Sequence, residues 1–322
     1  MPENWELPLA TKNSWRKKLN PSSKKDFKCH FCKICDGKGC IGEMPGMGGP
    51  LQSTNFIANC AAWSKIPFGK NKFVLDMEKS DLIKKIRLAP ITGAVENIGY
   101  GDEKQYYFDM IKSCDEAKIA LSIGDGTPDF KFFWGIDAVK EIQKSSPQKK
   151  AAVFIKPYPQ EKYFERMEKS LSVAQIFGID IDSYNILTMR NLVHLEKKTA
   201  QQLLKIKKIS HSKNIPFAVK GIFTKEDLEL VKEVQPDIIY ISNHGGRVET
   251  KRGSTAEFLA ENADFLKKFC NELWIDGGIR NFTDEKKALS YGADCVLLGR
   301  PFISALCKNK ELKNFFETQF AD

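Results

Sequence analysis

Eight short apolar runs recur along this chain, and segments of helical period separate them. The runs are Ile86–Ala89, Lys118–Ser122, Ala151–Ile155, Gly178–Asp182, Pro216–Lys220, Asp237–Ile241, Glu272–Asp276 and Asp294–Leu298. Their length and β-branched content suit buried strands better than helices. The segments between them include Asp102–Glu116, Gln160–Phe177, Ala200–Ser210, Lys225–Val234, Ala256–Cys270, Asp284–Tyr291 and Ile303–Phe316. There the apolar residues fall three or four apart, as on one face of a helix. Strands that alternate with helices pair in parallel through crossover connections. Eight such units predict an α/β fold, a TIM (β/α)8 barrel. A doubly wound open sheet is the alternative, and the strand count favours the barrel.

Barrels of this kind place their chemistry at the carboxyl ends of the strands. Those ends are polar or glycine-rich here: Pro90-Ile91-Thr92-Gly93, Ser122, Lys156, Asp180 with Asp182, Lys220, Ser242–Arg247, Asp276–Arg280 and Gly299-Arg300. The sixth run is the most informative, because Ile238–Ile241 empties into Ser242-Asn243-His244-Gly245-Gly246-Arg247. A neutral imidazole accepts a proton near neutral pH, and a guanidinium grips a carboxylate through two parallel hydrogen bonds. His244 and Arg247 together suggest proton abstraction from a small carboxylic acid; a polar turn with a satisfied histidine is the structural alternative.

Loops after the seventh and eighth strands commonly hold a phosphate. Here they are Asp276-Gly277-Gly278-Ile279-Arg280 and Gly299-Arg300-Pro301. Glycine N–H groups can point into such a site unobstructed, and the two arginines add charge. Lys220 closes the fifth run and faces the same mouth.

With 42% hydrophobic and 28% charged residues in 322, the chain has the composition of an ordinary soluble globular protein. No apolar run approaches the ~20 residues that span a bilayer. The start, MPENWELPLATKNSWRKK, lacks the apolar core of a signal peptide, so the expected compartment is cytoplasmic. The net charge of +9 favours a small anionic substrate. No basic stripe with interleaved aromatics argues for nucleic acid, and nothing argues for a membrane.

Nine cysteines in such a chain do not predict a disulfide framework. Cys29, Cys32, Cys35 and Cys40 cluster with the spacing C-x2-C-x2-C-x4-C. Four thiolates on a turn suit an iron–sulfur cluster or zinc; reduced structural thiols and a redox switch are the alternatives. Cys60, Cys114, Cys270, Cys295 and Cys307 are expected to be core thiols. The organisation expected is an arm with the Cys-rich segment over residues 1–50 and a barrel over 51–322.

From Pro216 to about Ala305 the motifs VKGI, SNHGGR, DGGIR, ALSYGAD and LLGRP resemble the FMN-dependent 2-hydroxy acid oxidases and dehydrogenases. Glycolate oxidase, lactate oxidase and mandelate dehydrogenase belong to that family. The resemblance extends more weakly to LAPITGA at Leu88–Ala94. It implies a TIM barrel that binds FMN and oxidises a 2-hydroxy acid to the 2-oxo acid. Pro90, Ile91 and Thr92 would lie along the flavin edge, Ser122 against the ring system and Lys220 near N1 and O2. Ser242 would meet the ribityl chain, while Asp276, Gly278, Arg280, Gly299 and Arg300 would handle ribityl and phosphate. His244 would be the base, Asp182 its orienting carboxylate and Arg247 the substrate clamp. Tetramers are the family's tendency.

Four departures stand out. Lys156, a candidate catalytic cation that could polarise a substrate oxygen, occupies the place of a family tyrosine, with Tyr158 two residues on. Arg190 alone falls near the place of a second substrate-binding arginine. Asp180 has no counterpart, and the four-cysteine segment is foreign to the best-known members. The alternatives implied are an FMN reductase linked to NAD(P)H or to a cluster, and a flavin-binding redox sensor without turnover.

Overall fold

The computed structural model of the chain describes residues 54–93, 100, 102–186, 193–248, 250–307, 311–318 and 320. Before the barrel come α1 (Thr54–Lys65), a 3-10 turn at Lys72–Asp76 and α2 (Lys79–Ile83). Then the alternation begins: β1 (Ile86–Leu88), α3 (Glu103–Glu116), β2 (Leu121–Gly124), α4 (Phe130–Gln143), β3 (Ala151–Ile155) and α5 (Gln160–Ser170). It continues with β4 (Ala174–Asp180), α6 (Ala200–Ser212), β5 (Phe217–Ile222), α7 (Lys225–Val234), β6 (Ile238–Ile241) and α8 (Thr255–Leu266). The last elements are β7 (Glu272–Ile275), α9 (Phe282–Ser290), β8 (Cys295–Leu298), α10 (Arg300–Cys307) and α11 (Leu312–Thr318).

The strands run parallel in the order β1-β8-β7-β6-β5-β4-β3-β2. The ring is nearly closed between β1 and β2, where Arg87 bridges Ala120 and the Leu88 amide donates to the Ala120 carbonyl at 2.9 Å. The TIM-barrel expectation therefore holds, and the open sheet is excluded.

Helix starts follow local chemistry. Thr199, Thr224 and Ser254 each close a capping box with the residue three further on, satisfying amides at the first turns of α6, α7 and α8. Several boundaries differ from the periodic reading, among them the second run, read as Lys118–Ser122 and observed as Leu121–Gly124. The amphipathic face of α5, with Tyr163, Arg166, Met167 and Ser170 buried, ends at Ser170, and β4 already begins at Ala174. The reading Gln160–Phe177 ran on into a strand because AQIF is apolar enough to prolong either pattern. The reading Ile303–Phe316 divides into α10 and α11.

Strand alternation sorts side chains between two cores. Outward residues such as Val153, Ile155, Ile239, Leu273 and Ile275 pack under the helices. Inward ones, Ala89, Ala152, Phe154, Ile176, Ala218, Tyr240, Trp274 and Leu297, fill the barrel. The same period of two carries upward. Continuing each inward row to its carboxyl end reaches Lys156, Asp180, Lys220, Ser242 and Asp276. These polar residues make the top layer of the barrel, and the aromatic trio Phe154, Tyr240 and Trp274 forms its floor.

Among the described residues no helix is long and apolar enough to cross a membrane, and no group of three or more His, Cys, Asp or Glu could hold a metal ion. Cys29, Cys32, Cys35 and Cys40 lie outside the described residues, as does Arg190. Cys114 is a buried core thiol as expected, but Cys60, Cys270 and Cys295 are only partly buried.

Candidate active site

The sixth-strand loop is built around backbone that few residues adopt. His244 has φ +52°, and Gly245 and Gly246 follow at +62° and +90°. A left-handed histidine is uncommon and persists only where its surroundings impose it. Ser242 Oγ accepts the His244 amide at 3.2 Å, and Asn243 Oδ1 accepts the Gly246 amide at 2.9 Å. Asn243 is held in turn by Asn59 of α1, whose Nδ2 donates to Asn243 Oδ1 at 2.8 Å.

The loop presents the His244 ring between three charged groups. Its Nδ1 lies 2.8 Å from Asp182 Oδ2, its Nε2 3.2 Å from Lys220 Nζ and 3.6 Å from Asp180 Oδ2. An ammonium has no acceptor capacity, so Nε2 must carry the lone pair and Nδ1 the hydrogen that Asp182 accepts. That is the tautomer a general base requires. Asp182 was read as the end of the fourth strand; β4 stops at Asp180, and Asp182 precedes the 3-10 turn Ser183–Asn185 without a side-chain capping bond, which leaves its carboxylate for His244.

Asp180 is the residue the sequence reading left without a role. Its Oδ1 is 2.8 Å from Lys220 Nζ, its register partner on β5, and both side chains are almost wholly buried. Burial opposes its charge, but the Lys220 ammonium, and then His244, outweigh that and hold the carboxyl well below the usual range. Burial likewise opposes the charge of Lys220, yet Asp180, Asp182 and Asp276 raise its pKa. Lys156 behaves differently: burial pulls it down, and Asp180 and Asp125 offset this only in part. Arg247 is pulled down by burial too, against the attraction of the same three aspartates. Its Nε donates to the His244 carbonyl at 3.3 Å, which ties clamp and base to one turn.

A cleft beside this cluster is lined by Pro90, Ile91, Thr92, Lys220, His244 and Arg247. Asp276, Gly278, Arg280, Gly299 and Arg300 line it too, so most of the expected cofactor residues meet there. Its enclosed volume is about 100 Å³, and a mononucleotide-sized ligand needs the open mouth as well. Asp276 Oδ2 accepts Tyr240 Oη at 2.7 Å and Ser242 Oγ at 3.0 Å. Ser242 is thus engaged in supporting Asp276 and the loop. Asp276 Oδ1 and Ser122 Oγ are buried without a hydrogen-bond partner. Unsatisfied buried acceptors of this kind call for a polar ligand. Burial raises the Asp276 carboxyl, with Lys220, Tyr240 and Ser242 acting against it. A groove formed by Lys197, Lys198, Glu226, Glu229 and Lys232 is larger, but no strand end reaches it.

The sequence reading missed α1 altogether. Asn55 Nδ2 donates to the Val248 and Lys251 carbonyls at 2.9 and 2.8 Å, and Asn55 Oδ1 accepts the Gly253 amide at 3.0 Å. Asn59 Oδ1 accepts the Thr255 amide at 3.0 Å, and Trp63 Nε1 donates to the Gly277 carbonyl at 2.8 Å. Arg300 stacks over Phe56 at 4.0 Å and bonds the Gly245 carbonyl, while Arg280 Nη2 reaches Cys60 Sγ at 3.7 Å. One helix thus locks the loops after β6, β7 and β8. Its signal in the sequence was two asparagines four apart on a face that also carries Phe56, Ala62 and Trp63.

A family profile described as FMN-dependent dehydrogenase matches residues 140–312. Among curated proteins, 2-hydroxyacid oxidase 2 of Rattus norvegicus is 41% identical over 98 residues, 30% of this chain and 28% of that protein. The cytochrome-linked L-lactate dehydrogenase of Saccharomyces cerevisiae is 30% identical over 177 residues, 54% of this chain and 27% of that protein. The chain spans less than a third of the length of these relatives. Among solved structures, mandelate oxidase with benzoyl-formic acid superposes with a TM-score of 0.61 at 17% identity, covering 86% of this chain and 88% of that one. The flavin-binding domain of baker's yeast flavocytochrome b2 gives 0.60 at 19%, covering 82% and 71%. At such identities the likeness bears on the fold.

Proposed function

Since the chain belongs to the FMN-dependent dehydrogenase family, we propose that it holds FMN at the barrel mouth and oxidises a small 2-hydroxy acid to the 2-oxo acid. The observation that carries this reading is the placement of His244 on the cleft wall, with Nδ1 2.8 Å from Asp182 Oδ2 and Nε2 3.2 Å from Lys220 Nζ.

The residues present fit the cofactor. Gly278, Arg280, Gly299 and Arg300 would take the phosphate end, where backbone amides and two guanidinium groups converge. Asp276 Oδ1, buried and unpartnered, would accept a hydroxyl of the ribityl chain, and Ser122 Oγ would face the ring. Pro90, Ile91 and Thr92 would line its edge. FMN, when bound, supplies an acceptor for the two electrons the acid gives up.

The protein's own groups do the rest. Arg247 grips the substrate carboxylate and sets the 2-carbon against His244. His244 Nε2 takes the proton, releasing its hydrogen bond from Lys220. The imidazolium formed is stabilised by Asp182 on one nitrogen and by Asp180 near the other. Lys156, in place of the family tyrosine, brings a cation to the same layer, and Arg190 is the candidate second clamp.

The test is anaerobic: the purified protein is mixed with lactate, glycolate and mandelate in turn, and its flavin absorbance is followed. Bleaching by at least one acid is the expected outcome. Bleaching by NAD(P)H alone would move the activity to a reductase, and a protein that stays colourless with added FMN would end the reading. Iron, sulfide and zinc analysis of the same preparation decides what Cys29, Cys32, Cys35 and Cys40 hold.

A further inference from the structure

Lys156, Asp180 and Lys220 stand on three neighbouring strands, at the same height and on the same inward face. Ile155 pairs with Ile179 across β3 and β4, so Lys156 and Asp180 follow together, and Asp180 pairs with Lys220 across β4 and β5. The three form a cation–anion–cation row. All are buried, at 5%, 5% and 3% exposure, and Asp180 holds the Lys220 ammonium at 2.8 Å. Lys220 in turn is on the wall of the cleft and touches His244.

A buried row of this kind behaves electrostatically as a unit, because little solvent lies between its members to screen them. With all three groups ionised its net charge is a single positive one. With Lys156 at the end of β3, a second lysine stands in the layer of Lys220 beside the cleft; Asp180 between them offsets the charge that the second lysine adds. The second lysine and the carboxylate beside it are thus two parts of one buried charge arrangement.

We propose that Asp180 is a positioning residue that fixes Lys220 and, with Lys156, sets the net charge against which bound FMN is reduced. The row thereby tunes the cofactor's two-electron potential, a role that rests on the FMN reading above. In the reaction the acid loses two electrons and two protons; bound FMN would take the electrons and one proton, and His244 holds the other. Extra negative charge in the cleft is favoured by each cation of the row and opposed by Asp180.

The measurement is the midpoint potential of the FMN-loaded protein, titrated anaerobically against a reference dye. Asp180→Asn removes one negative charge with little change of shape and should shift the reduction equilibrium at least tenfold towards the reduced form, about 30 mV upward. Lys156→Gln should shift it in the opposite direction. The double variant should return towards the wild-type value, since it restores a net charge of one. Asp180→Glu, which keeps the charge, should stay within about threefold of wild type. Asp180→Thr serves if the Asn chain does not fold. General loosening of the site would not move two variants in opposite senses. FMN bound with unchanged potentials would overturn the role of the row alone; a protein that takes up no FMN would overturn the cofactor reading and the row's role with it.

Discussion

His244 occupies left-handed backbone that only the bonds from its own amide and from Gly246 make tolerable. The strain is stored where the chemistry needs a fixed imidazole, and Asp182 supplies the orientation that fixes the tautomer. Replacing the ring while leaving the turn should therefore separate binding from chemistry. His244→Ala is expected to keep its FMN and to lose substrate-driven flavin reduction by ~10²-fold or more. Rapid-mixing measurement of that single step checks it, and an unchanged rate would remove His244 from the role of base. Arg247 shares the turn, so its guanidinium cannot shift far without moving the base.

At the scale of elements, α1 is the part that turns three loops into one site. Its backbone lies so close to the glycines that side chains are excluded there: a Cβ at Gly246 would collide with the Phe56 amide, and one at Gly278 with the Asn59 carbonyl. Gly278 also has φ +81°, where alanine is disfavoured by about 1 kcal/mol before any collision is counted. Gly278→Ala is expected to push α1 away and to weaken FMN binding by tenfold or more, read by titrating apoprotein with FMN. Tight binding in that variant would show that α1 is dispensable to the phosphate end.

For the whole molecule, the barrel tolerates buried charge unevenly. At the lower end Arg87 is pulled down by burial but is tied to the Leu121 carbonyl at 2.6 Å and stacks on Trp274 at 4.9 Å. Glu285 on α9 is wholly buried, neither carboxyl oxygen has a hydrogen-bond partner, and burial pushes its pKa up to about 9 from 4.5. The folded chain therefore keeps Glu285 protonated at neutral pH, whereas the unfolded chain releases that proton. With a raised folded-state pKa, the contribution to stability is complete below the unfolded value and is lost as pH rises towards 9. The slope is about 1.4 kcal/mol per pH unit in that window. Glu285→Gln, neutral throughout, should flatten this slope and add on the order of 2–4 kcal/mol at about pH 8. Urea melts between about pH 5 and pH 9 measure it; parallel slopes in the two proteins would contradict the assignment.

The alternation of apolar runs with helical segments specified a parallel α/β fold, and the count of eight units favoured the barrel over an open sheet, which buries both strand faces as well. The loops SNHGGR, DGGIR and LLGRP were legible for a similar reason: glycines and arginines at strand ends have little structural cause to be there. Asp180 was within reach of the same logic, since the inward row through Ile176 leads to it, but its meaning depended on which strand stood beside it. Only pairing across β3, β4 and β5 made Lys156, Asp180 and Lys220 neighbours. The part played by α1 was hidden for the same physical reason. A helix nearly two hundred residues away in sequence shows no local sign of the loops it holds, and hydrogen bonds such as Asn59 to Asn243 exist only once the ring has closed.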